Sequence, residues 1–167
     1  MRTLLLISFL LSSLFLLSTP DMIVLRKIMN NAEHDTAQAR YFKLHMESIE
    51  SDAFLMQAYK CISRLIYIKH FEPFWVKFFV FNRETKRLDR IIEASPDNPE
   101  IRFLRYAVQD RAPFFLGYND DLKEDKLKIE TCFAKCEKDL REMIEAYFIR
   151  FEQEFNKNIE GNCQYGI

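Results

Sequence analysis

Glycine is nearly missing. Only Gly117, Gly161 and Gly166 occur in 167 residues, and none interrupts a periodic segment. Tight β-hairpins draw on glycine for their positive φ angles, so a sheet-rich fold is excluded. A glycine-rich loop able to cradle a phosphate is excluded with it. Proline is confined to positions 20, 73, 96, 99 and 113, each where the apolar periodicity already breaks. Histidine occurs only at 34, 45 and 70, and the chain has neither an HExxH pair nor a serine nucleophile elbow. A surplus of one charge sign is lacking too. The 24 basic residues face 25 acidic ones for a net charge of -1, which argues against nucleic acid as a partner.

One long apolar run is present, at the start. Arg2 is the only charge before Leu4 to Leu17, a stretch holding only Leu, Ile, Phe and Ser, followed by Ser18, Thr19 and Pro20. A basic head, a short apolar segment and small residues read as a secretory signal peptide over residues 1–19. The run falls short of the roughly 20 apolar residues a spanning helix needs. Leu16 or Leu17 stands where signal cleavage prefers a small residue, so an uncleaved N-terminal anchor is the alternative. Either way the rest of the chain is expected to be exported, periplasmic or envelope-associated.

Residues 20–158 are of a size for one domain with a real core, and 159–167 read as a flexible tail. Apolar residues recur at three- and four-residue spacing almost throughout, which predicts an all-α domain. Helices are expected over Met22–Asn31, over Asp35–Ile49, from a cap at Ser51 or Asp52 to Lys69, over Trp75–Ala94, over Pro99–Arg111, from Asn119–Asp121 to Phe133, and over Lys138–Phe155. In the fourth, Phe78, Phe81, Leu88, Ile91 and Ile92 form the inner face. The fifth has agreeing start signals: Asn98 caps free N–H groups, Pro99 fits the first position, and Glu100 suits the positive end of the dipole. At the sixth, Asp121 and Glu124 stand at capping-box spacing. Long helices with short connections predict six or seven antiparallel helices stacked as helical hairpins.

The connection Ser95-Pro96-Asp97-Asn98 resembles the inter-repeat loop of tetratricopeptide proteins over about Lys86 to Val108. The Trp, Leu-Gly and Tyr positions of that repeat are not found at the expected spacing. A longer resemblance, carried by NPEIRFLRYAVQ and APFFLGYNDDLKEDK and covering roughly Ala53 to Ile129, is to a family of short exported bacterial helical proteins with no established activity. It implies export and a helical fold, and it transfers no catalytic residue.

Candidate sites follow from what the helices leave over. Arg102, Arg105 and Gln109 share a face of the fifth helix, and with Tyr118 and Asn119 they are candidates for partner binding; the plainer reading is that they tie neighbouring elements together. The run FEPFWVKFFVF is apolar nearly all round, so Phe71, Phe74, Trp75 and Phe78, with Phe114 and Phe115, either close the core or contact an apolar ligand or a membrane surface. Cys61 lies on an apolar stripe. Cys132, Cys136 and Cys163 are either free thiols or candidates for a Cys132–Cys136 or Cys132–Cys163 disulfide, and the pair one turn apart also suggests two zinc ligands without a second pair to complete them. His34 and His45 would stand about 16 Å apart along one helix, too far to share a metal. Asp120, Asp121, Glu124 and Asp125 lack the alternate spacing and glycine of a calcium loop. No cofactor is expected. The expected function is non-catalytic binding of another envelope protein or peptide; the alternative is a small helical carrier or sensor of an apolar ligand or membrane surface.

Overall fold

The computed structural model describes residues 21–163, with side chains as far as Arg150. The expected signal segment 1–19 lies outside the described residues. Among those described, the structure is all-helical: α1 Met22–Ala32, α2 Thr36–Ser48, α3 Phe54–Phe71, α4 Phe74–Ala94, α5 Pro99–Arg111, α6 Leu122–Cys132 and α7 Lys138–Cys163. Single 3-10 turns at Phe114–Leu116 and Phe133–Lys135 precede α6 and α7.

Short polar residues start several of these helices. Asp21 accepts from the Ile23 N–H at 2.9 Å, Asp35 from the Gln38 N–H at 2.8 Å, and Asn98 from the N–H groups of Glu100 and Ile101 at 3.0 and 3.1 Å. Each satisfies donors that the helix itself leaves unpaired. Two expected caps do not form. α3 starts after Ala53 with no side-chain cap, because the Ser51 hydroxyl turns to the Ala53 N–H in the preceding turn. α6 follows Asp121, whose carboxylate makes no cap bond. The Gln109 side-chain oxygen takes the Asp121 N–H at 3.1 Å instead, doing from α5 what Glu124 would do in a capping box. At the other end of the chain, α7 runs on to Cys163. The helix thus continues into the segment expected as tail, and residues 164–167 lie outside the described ones.

From α1 to α6 consecutive helices pack against one another, α3 also packs on α5, and α7 meets α1. Side-chain links show the direction of the odd-numbered helices. Arg26, one turn into α1, reaches Glu100 at the start of α5 and Asp139 at the start of α7, while Glu33 at the end of α1 meets Arg111 at the end of α5. The odd helices therefore run parallel and the even ones return between them, giving stacked antiparallel hairpins. The main core holds Phe42, Met46, Tyr59, Leu88, Ile101 and Leu104, all with at most 2% exposed. A second cluster of Phe103, Tyr106, Ile129, Leu140 and Ile144 seats α6 and α7 on α5.

A candidate apolar groove

The parallel odd helices leave a groove of about 1110 Å³ between them, just above the roughly 300–1,000 Å³ usual for small-molecule sites. Its wall is built from Met29 of α1, Ile62, Leu65 and Ile66 of α3, Leu104, Ala107 and Val108 of α5, and Met143 and Tyr147 of α7. α3 can serve both core and groove because its apolar residues cover more than one face: Ala58, Tyr59 and Cys61 are fully buried, while Leu65 stays partly open. Phe74, Phe78 and Phe81 of α4 and Phe115 of the 3-10 turn complete one end.

That end accounts for a corrected face of α4. Leu88, Ile91 and Ile92 are buried as expected, but Phe78 is 49% exposed, because the first turns of α4 border the groove rather than the core. Phe74, Trp75, Phe79, Phe114 and Phe115 are exposed as well, from 66% to 88%. The Phe74 and Phe115 rings stand 6.3 Å apart, so the α3–α4 and α5–α6 connections form one aromatic lip. Phe71, by contrast, is half-buried, stacked on Tyr67 at 4.7 Å and covered by Arg40. Gly117 follows the lip with φ +59°, where a side chain would be strained. No described helix is long and apolar enough to cross a membrane.

The polar candidates lie elsewhere. Arg102, Arg105 and Gln109 are at most 5% exposed, and all three donate to Asp125, which is fully buried. Tyr118 donates to Asp89 at 2.8 Å, and burial followed by the Asp89 charge raises its hydroxyl pKa. Only Asn119 of this set is exposed. With their donors aimed inward, the three α5 side chains are interior ties that fasten α5 to α6, and they offer no surface to a partner. Three of the four acids at the start of α6 belong to the same network: Asp121 pairs with Arg105, Glu124 with Arg102, and Asp125 with both, while Asp120 is exposed. Among the described residues, no three His, Cys, Asp or Glu side chains gather into a metal-sized cluster.

Sequence reasoning missed a second interior tie. Glu100 lies at 4% exposure and accepts from Arg26 Nε at 2.8 Å, from another Arg26 nitrogen at 2.7 Å and from the Tyr59 hydroxyl at 2.6 Å. Burial opposes the charge on Arg26, but the Glu100 bonds and charge outweigh it and raise its pKa. The helix-start position of Glu100 had signalled only dipole complementarity; the missing clue was an arginine inside the apolar stripe of α1. Cys61, Cys132 and Cys136 are free thiols. The candidate Cys132–Cys136 bridge is not formed, since the Cys136 thiol points at the Cys132 carbonyl at 3.5 Å. Side-chain pairing of Cys163 lies outside the described residues.

The described residues thus form an all-helical stack with an apolar groove. No family model, no curated protein and no solved structure matches the chain.

Proposed function

We propose that the protein is a non-catalytic binding protein of the cell envelope that holds an apolar chain in the groove between its odd-numbered helices. The observation that carries this reading is the groove itself: about 1110 Å³, walled mainly by aliphatic and aromatic side chains and continuous with an exposed aromatic lip. Transfer of apolar surface from water onto such a wall is favourable by roughly 25 cal/mol per Å². The apolar run Leu4 to Leu17, read as an export signal, is what supports the envelope location.

A second reading keeps the groove but changes its occupant to an amphipathic segment of another envelope protein. The parallel odd helices favour it, because helical-hairpin stacks present such a face to peptides. Native mass spectrometry of the full chain recovered from its own envelope separates the two. A stoichiometric apolar adduct that disappears on denaturation supports the carrier; a second polypeptide supports the peptide reading. Ala107→Trp fills the groove from a half-buried position and is expected to abolish either adduct while leaving the fold intact. Retention of the adduct in a folded Ala107→Trp protein would exclude the groove as its site.

A further inference from the structure

We infer that the occupant is an anionic single-chain amphiphile, a fatty-acid carboxylate, with its head held by Lys69 and Lys77 at the lip and its tail lying along α3 and α5. This rests on the groove reading above and adds the chemistry of the head group.

The argument comes from the charges left over once internal pairing is complete. Every carboxylate lining the groove already has a partner. Glu33 pairs with Arg111 and Asp139 with Arg26, Glu142 pairs with Lys138 at 3.5 Å, and Asp110 accepts from the Tyr147 hydroxyl at 2.6 Å. The cations differ. Among the described residues, Lys27, Lys69, Lys77 and Arg150 line the groove and none has a carboxylate within ion-pair distance. Among the groove's charged groups without an ion pair, these four cations outnumber the one carboxylate, Asp110, whose partner is a neutral hydroxyl, so the balance is positive.

Two of these lysines are linked at the ends of α3 and α1. Lys77 Nζ donates to the Lys69 carbonyl at 2.9 Å, and Lys69 Nζ donates to the Glu33 carbonyl at 3.3 Å. Each ammonium carries three donors and uses one of them here, at helix C-termini where a cation is favoured. Both lysines line the groove together with Phe74 and Phe78, whose rings are exposed to solvent. A carboxylate placed there is hydrated on one side and charge-assisted on the other, and its chain continues over Leu65, Ile66 and Leu104. Against the aliphatic wall of Leu65, Ile66 and Leu104 instead, the same head would lose its hydration without a charged partner.

Isothermal titration of the full chain with dodecanoate and, separately, with dodecan-1-ol tests this. The wild type is expected to bind dodecanoate more tightly than the alcohol, and Lys69→Gln/Lys77→Gln to weaken dodecanoate by about tenfold or more, the worth of a charge-assisted bond, with the alcohol unchanged. Lys69→Arg/Lys77→Arg retains the charge and is expected to restore binding, which a merely structural role for the lysines would not require. Lys27→Gln, midway along α1, is expected to have no effect. Equal affinity for both probes would overturn the anionic head and leave the groove standing. Binding of neither would remove both readings, and a loss confined to Lys27→Gln would reverse the ligand's direction and so refute the assignment to Lys69 and Lys77.

Discussion

Replacing Asp125 by alanine is the sharpest test of how α6 is held. Its carboxylate is fully buried. Oδ1 receives Arg102 and Arg105, each at 2.8 Å, and Oδ2 receives Arg105 Nε at 2.7 Å and Gln109 at 2.8 Å, which fills its acceptor sites. Both arginine side chains are only 6% exposed, so solvent screens these contacts little. Removing one partner of a buried ion pair costs about 3–5 kcal/mol, chiefly because the remaining charge is left uncompensated. Here the lower end applies. Arg102 keeps Glu124 at 2.9 Å and the Pro96 carbonyl at 2.8 Å, and Arg105 keeps Asp121 at 2.8 Å and Asp89 at 3.3 Å. Asp125→Ala should therefore cost about 3 kcal/mol. In thermal unfolding that is a fall of about 6–12 °C for a chain of this size. Urea unfolding at neutral pH, followed by far-ultraviolet circular dichroism, should show a lower midpoint at unchanged slope. A variant within about 0.5 kcal/mol of wild type, the range of an ordinary surface change, would refute the claim that this cluster holds α5 to α6.

Other substitutions separate core from lip and probe the ionisable groups. Phe42→Ala empties a fully buried site and should cost about 3–5 kcal/mol, whereas Phe114→Ser at 88% exposure should stay within about 0.5 kcal/mol; similar midpoints for the two in urea would contradict the placement of these rings. Burial alone would raise the Asp139 pKa, but the Arg26 bond and charge prevail and hold it below its ordinary 3.8. A depressed carboxylate contributes stability above its unfolded value and loses it as pH falls through the folded one. The stability gap between wild type and Asp139→Asn should accordingly be full at neutral pH and close below 3.8, and a gap that persisted in acid would exclude the Arg26 contact as its source. Burial, followed by the Glu84 charge, pushes the Cys61 thiol up to about 12. In a Cys163→Ser background at mildly alkaline pH, a disulfide reagent should modify Cys132 promptly and Cys61 only on unfolding, and rapid native labelling of both would show that α3 is not packed as described.

Much of the fold was legible because it is written locally. Asn98, Pro99 and Glu100 mark the start of α5, and Pro113 follows its end, so expectation and structure agree at both limits. The limits of α3 and α6 differ because Ser51, Asp121 and Glu124 had a choice of acceptors or donors. For the two acids the arginines of α5 won. The α5 face of Arg102, Arg105 and Gln109 was visible as a face, but not as interior, since three- and four-residue spacing says which residues point together and not what covers them.

By itself the sequence determined helix type, most helix limits, the antiparallel order implied by short connections, and the stripes that form the core, because capping, proline geometry and periodicity act within a few residues. Only the tertiary structure decided which stripe faces core and which faces groove, that Asp125 and Glu100 rather than solvent meet the arginines, and that Lys69 and Lys77 line the groove with Phe74 and Phe78. Those outcomes depend on contacts between residues far apart in the chain, Arg26 with Glu100 and Glu33 with Arg111 among them. Burial and charge compensation are properties of the assembled stack, and no local pattern carries them.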